Sequence, residues 1–227
     1  MNPFAANAEN LLGLNSSIRN SLFYNRGKQN HSVTYTFISN KIKNLQSSGE
    51  QEAKNTSHQL QYDHLLKKYW LFTLSGKLVV TSNNAQNYAS RNFEIKGNQL
   101  EPKISYLFSK NASLDVFYEM QIKENKLGEK ESLKQNKFGS SFSFSSQKKL
   151  TLNGEFSWFD NKFIGNEFSP VAFQMLEGLQ PGKNMTWRLL LQKNITQYLD
   201  VNVNYLGRKS ETTNTIHTGN IQLRAYF

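Results

Sequence analysis

Six charged side chains fall on the polar faces of alternating segments: Lys103, Glu119, Glu155, Arg188, Asp200 and Arg224. Counted from the turn at Lys110–Asn111, Lys103 is expected opposite Glu119 on the neighbouring strand. Counted from the turns near 147–149 and 194–197, Glu155 and Arg188 come out at similar depth, and Asp200 and Arg224 sit near the end of the last two strands. Opposite charges facing across strands brace a sheet by roughly 0.2–1 kcal/mol each, and in a barrel they line a polar lumen. The histidines offer less. A metal needs three or four convergent ligands. His58 and His64 lie on the same face of one segment, about 20 Å apart at roughly 3.3 Å per residue, and cannot share an ion. His217 with Thr218, or with Ser210 and Glu211, can be drawn as a nucleophile and base, but no supporting motif surrounds it. No phosphate-binding glycine loop, dinucleotide fingerprint or paired catalytic carboxylate is present, so no catalytic residue, cofactor or metal site is assigned.

The elements that must position these charges are strands. Trp70, Phe72, Leu74, Leu78 and Val80 alternate with Thr73, Ser75, Lys77 and Thr81. Leu114, Val116, Tyr118, Met120 and Ile122 oppose Asp115, Glu119, Gln121 and Lys123, and Leu199, Val201, Val203 and Tyr205 oppose Asp200, Asn202 and Asn204. A period of two puts alternate side chains on opposite faces of a strand. About eleven such segments follow one another, which predicts antiparallel β structure throughout.

The connections sort into two classes. Short ones are expected near 27–30, 67–68, 110–112, 147–149 and 194–197, and longer ones over 44–54, 82–92, 123–134, 160–183 and 209–215. Short periplasmic turns alternating with longer external loops are the layout of transmembrane barrels. Tyr24, Tyr69, Trp70, Phe108, Tyr198 and Phe227 flank the short turns, as an interfacial girdle requires. The expected fold is therefore an all-β, antiparallel up-and-down transmembrane β-barrel with 11–12 strands visible. Residues 1–15 read as an external-loop remnant and 16–227 as the barrel segment. An odd strand count also suggests that an ascending strand lies upstream, since single-chain barrels close with an even number. Ser169-Pro-Val-Ala in the longest connection is a good helix start, with Gly178 or Gly182 as the stop. Such a helix would fold over the mouth, or dock a partner through Phe173, Met175 and Leu176.

Composition agrees. Hydrophobic residues make up 37% of the 227, too few and too dispersed for a membrane helix, whereas a barrel needs only alternate apolar positions. Cys is 0, so thiolate metal sites are excluded. The net charge of +10 raises a nucleic-acid reading, but Lys41, Lys43, Lys54, Lys123, Lys126, Lys130, Lys134, Lys137, Lys148 and Lys149 are placed in connections, where they would be solvated near anionic lipid head groups. No nucleic-acid partner is expected.

The last segment alternates Ile221, Leu223, Ala225 and Phe227 against Gln222, Arg224 and Tyr226 and ends on an aromatic residue. This is the form of a terminal strand carrying the outer-membrane assembly signal. Together with Arg208-Lys-Ser-Glu, Ile216-His-Thr-Gly, Leu100-Glu-Pro-Lys and the 169–183 segment, it resembles the carboxy-terminal region of large outer-membrane proteins of Bacteroidota-type bacteria. The resemblance implies a bacterial outer-membrane location and a role as membrane anchor or conduit of a larger cell-envelope protein. Outer-membrane lipid, the barrel-assembly machinery and upstream domains or partner subunits are the implied partners. It transfers no catalytic residue. Two other readings are an outer-membrane enzyme with a loop-rim site and a soluble β-sheet protein that binds polyanions.

Overall fold

In the computed structural model, residues 13–26, 30–46, 49–146 and 149–226 are described. They form eleven strands: β1 (Gly13–Tyr24), β2 (His31–Gln46), β3 (Gly49–Lys67), β4 (Trp70–Ala85), β5 (Phe93–Ser109), β6 (Ala112–Asn125), β7 (Ser132–Ser146), β8 (Leu150–Ile164), β9 (Gly182–Thr196), β10 (Leu199–Ser210) and β11 (Ile216–Ala225). All belong to one sheet in strict sequence order, each antiparallel to the next. One α-helix, α1 (Pro170–Leu176), interrupts the run between β8 and β9, and a short 3-10 turn, Ala89–Arg91, lies between β4 and β5. The fold is an up-and-down antiparallel barrel wall, as the alternation predicts. Among the described residues β1 and β11 are its two edges, with no ladder between them.

The two faces are inverted relative to a soluble sheet. Polar side chains of one face are buried: Thr36, Ser57, Thr73, Ser105, Gln121, Gln135 and Ser157. The apolar set of the opposite face is open, with Leu78 57% and Leu60 55% accessible, and Leu74, Ile104, Val116, Phe138 and Leu189 also exposed. A continuous apolar surface of this size is not left to water. It is what hydrocarbon requires on the outside of a barrel whose interior is polar. Transmembrane barrels of this type belong to bacterial outer membranes, which places the chain there. No helix among the described residues is long and apolar enough to cross a membrane.

The inner face satisfies itself by cross-strand hydrogen bonds. Gln59 Nε2 donates to Ser75 Oγ at 3.0 Å, Thr73 Oγ1 to Asp63 Oδ1 at 2.7 Å, and Gln135 Nε2 to Asn161 Oδ1 at 2.8 Å. At the turn end the outer face carries aromatic residues. Trp70 and Phe108 each pack on Tyr106, with ring centroids 4.8 and 4.7 Å away, and Tyr24, Tyr69 and Tyr198 are exposed at the same end. Phe227 lies outside the described residues.

The strands are longer than the sequence pattern suggests. The expected long connection over 44–54 is almost entirely paired: Gln46 faces Gly49, and the ladder runs unbroken down to His31 opposite His64. The longer connections shrink to 86–92, 126–131, 165–181 and 211–215. Polar alternation at the strand tops is indistinguishable from loop composition once the strand rises above the apolar band, which is why those residues read as loops. The boundary at residue 16 also moves, since β1 starts at Gly13.

One close approach fixes the outer face near the last strands. The Trp187 ring packs against Gly207, so a Cβ there would collide with Trp187 Cε2, Nε1 and Cζ2. Gly207→Val is expected to displace the indole and destabilise the barrel by about 1–3 kcal/mol, as overpacking does. The check is a lower urea midpoint in detergent micelles, followed by Trp emission.

Candidate functional site

The inner wall and its loop-end mouth carry the structured chemistry of the molecule. Helix α1 begins where Ser169 Oγ accepts from Ala172 N at 3.0 Å, with Pro170 at the first helical position. An N-cap hydroxyl followed by Pro is the expected start. The helix turns Val171, Ala172, Met175 and Leu176 into a cluster with Ile95 of β5 and Leu133 of β7, flanked by Phe93 and Phe163. Met175 and Ala172 are completely buried. The loop therefore folds inward onto the wall, and Met175 and Leu176 do not serve an external partner. Phe173 remains 71% and Phe168 96% exposed.

Lys123 ties the helix down. Its Nζ donates to the Met175 carbonyl at 2.9 Å and to Glu177 Oε1 at 2.7 Å. Its side chain is only 11% accessible. The sequence pattern put Lys123 both on the strand's polar face and among the connection lysines; β6 extends to Asn125 and carries it on the inner face. Glu177 ends the helix in a left-handed conformation at φ 55°, where glycine is usual, followed by Gly178 at φ 77°. The expected glycine stop is thus displaced by one residue, and the ion pair to Lys123 accounts for a non-glycine residue there. Lys123→Met leaves the Met175 carbonyl and Glu177 without their donor. Loss of such a partner costs about 1–3 kcal/mol, so faster proteolysis within 165–181 is expected, with the wall itself intact by gel mobility without boiling.

Further polar contacts hold the loop to the strand ends. Asn161 Nδ2 and Asn184 Nδ2 both donate to the Gln180 carbonyl, at 3.0 and 2.7 Å, and Ser210 Oγ donates to Asn184 Oδ1 at 2.7 Å. Asn125 Nδ2 donates to the buried Glu131 at 2.8 Å. These asparagines were not singled out from sequence, because one among many carries no local signature.

The six charges read from sequence sit on the inner wall, with one change of partner. Glu155 and Arg188 are direct register partners, as are Asp200 and Arg224. Neither pair closes to an ion pair: Glu155 accepts from Ser157 Oγ at 3.4 Å, and Asp200 from the Tyr226 hydroxyl at 3.2 Å. Lys103 faces Phe117, and Glu119 faces Lys137. A regular count from Ser109 opposite Ala112 would put Lys103 opposite position 118, and the irregularity between Leu107 and Ser109 moves it one further, to Phe117. Lys137 is not a loop residue; its ammonium lies 4.9 Å from the Phe117 ring centroid and 5.5 Å from that of Phe159. Glu155, Arg188 and Arg208 border an open cavity of about 440 Å³ near the β11 edge.

The histidines are not assembled into a site. His217 Nδ1 and the Tyr205 hydroxyl are 2.7 Å apart on the outer face, beside Trp187, while Ser210 bonds inward to Asn184. His217 and Ser210 therefore point to opposite sides of the sheet. His58 pairs with the Tyr35 hydroxyl at 2.8 Å, also on the outer face. Among the described residues no group of three metal-ligating side chains converges.

The sequence matches no protein-family model and no curated protein. Among solved structures, the chain is similar to the translocator domain of the autotransporter NalP from Neisseria meningitidis, at 12% identity and TM-score 0.43, over 95% of this chain and 80% of that one. It is similar to the siderophore receptor PiuA from Acinetobacter baumannii, at 10% identity and TM-score 0.45, over 94% of this chain and 45% of that one. It is also similar to LpxR from Salmonella typhimurium, at 6% identity and TM-score 0.41, over 93% of this chain and 88% of that one.

Proposed function

We propose that this outer-membrane barrel wall is the anchor, or conduit, of a larger cell-envelope protein of the Bacteroidota type, with α1 as a plug at its loop-end mouth. The observation that carries the reading is the burial of Met175 and Leu176 on an apolar patch of a largely polar inner wall, clamped by Lys123. A helix held there narrows the bore, and the hydrogen-bonded polar wall below it supplies an aqueous lining. Among the described residues no ladder joins β1 to β11, and upstream domains or partner subunits of the larger protein are the partners we propose at these edges. The loop end faces the exterior, and the carboxy-terminal pattern of Ile221, Leu223, Ala225 and Phe227 is read by the barrel-assembly machinery.

Reconstitution in planar bilayers tests the conduit. Deleting 166–180 is expected to raise ion conductance severalfold over the intact chain. Equal conductance with and without the loop would leave anchorage alone. Removing Phe227 is expected to reduce the membrane-assembled fraction in cells; unchanged assembly would refute the terminal-signal role.

A further inference from the structure

The lysines read as loop residues are largely strand residues, and their placement is regular. Counted from the turn-end residue of each strand, the separation is 10 residues for Lys41 and Lys209, 12 for Lys134 and Lys162, and 13 for Lys54, Lys96 and Lys183. All seven share the outer face, as the registers show: Lys41 faces Lys54, Lys134 faces Lys162, and Lys183 faces Asp160. A tilted strand needs about 9–11 residues to cross the hydrocarbon. These ammonium groups therefore form a collar directly beyond the lipid-facing band, within three residues of one another in height.

Part of the collar is neutralised within the chain. Lys41 meets Glu52 at 3.0 Å, and Lys96 meets Glu94 at 3.4 Å. Lys54, Lys134, Lys162, Lys183 and Lys209 have no carboxylate of the described residues within ion-pair distance, Asp160 included. Lys134 and Lys162 are directly opposite across the ladder, an arrangement that repels. Five unneutralised cations at a membrane boundary, two of them face to face, complement an anion in that plane.

We propose that Lys134, Lys162, Lys183 and Lys209 on β7–β10 form a docking surface for the phosphate groups of outer-leaflet lipid. The inference rests on the barrel reading, since only an embedded wall brings this collar to the head-group plane. A lysine near an anionic surface contributes roughly a fivefold gain in binding. A bridging phosphate between Lys134 and Lys162 also removes their mutual repulsion. Phosphates on sugar head groups lie at the level the collar occupies, just above the acyl chains.

The test titrates bis-phosphorylated lipid A, and its dephosphorylated form, into the intact protein in zwitterionic micelles, with bound lipid read by native mass spectrometry. The wild-type chain is expected to bind the phosphorylated form at least tenfold more tightly. The variant K134Q/K162Q/K183Q/K209Q is expected to bind both alike, while K77Q/R19Q, altered on the inner face, keeps the preference. Equal binding by the wild type, or a preference surviving in the quadruple variant, would overturn the proposal. So would displacement by an equal concentration of inorganic phosphate, which would mark a free-anion site. A chain that stays monodisperse without detergent would instead refute the barrel reading itself.

Discussion

Met175→Asp is expected to release α1 from the mouth while leaving the barrel wall folded. Met175 is fully buried among Ile95, Leu133 and Leu176, and no cation lies in that cluster except the Lys123 head that bonds its backbone carbonyl. Burying a carboxylate in this apolar cluster costs several kcal/mol, and the one nearby cation, Lys123, is already engaged by the carbonyl of residue 175 and by Glu177. A seven-residue helix has little intrinsic stability to set against this, so the helix undocks rather than forcing the charge inward. A loss of about 3 kcal/mol corresponds to roughly a hundredfold shift in the docked-to-free ratio. Protease cleavage within 165–181 should rise by that order, with gel mobility without boiling unchanged. Conductance should rise as for the loop deletion, since both empty the mouth.

The second large effect is on the lipid face. Leu74 stands four residues above the turn-end residue of β4 and is exposed on the outer face, while Ser75 beside it bonds to Gln59 on the inner face. Leu74→Arg places a guanidinium near the middle of the hydrocarbon, at a cost of about 2–4 kcal/mol. Ser75→Arg places the same group in the polar interior and is expected to cost under about 1 kcal/mol, the value of the lost neutral hydrogen bond. Urea unfolding of the two variants in lipid vesicles gives the comparison. Equal costs would mean that the two faces do not differ in solvent.

The face assignment was legible because alternation is a local property that survives any error of register. Leu74 and Ser75 fall correctly on opposite sides from the pattern alone. Strand ends were not legible, because Lys41, Lys54 and Lys134 look like loop residues when the strand passes beyond the membrane. Depth was legible by counting from the turns: Glu155 and Arg188, and Asp200 and Arg224, came out level and are register partners, whereas Lys103, expected opposite Glu119, faces Phe117. The helix start at Ser169 and Pro170 was visible, because capping is written in two adjacent residues. Its anchor was not, because Lys123 lies 52 residues from the Met175 carbonyl it holds, and nothing local connects them.

The inversion of the faces is the central point, and β4 tests it most directly. The chain contains no cysteine, so single-cysteine variants at 72–78 can each carry one nitroxide label without background. In lipid vesicles, labels at 72, 74, 76 and 78 are expected to collide with oxygen dissolved in the hydrocarbon, and labels at 73, 75 and 77 with a water-soluble nickel relaxant. The accessibilities should alternate with a period of two and opposite phase. Equal exposure of all seven positions to the nickel relaxant would contradict a membrane-embedded wall.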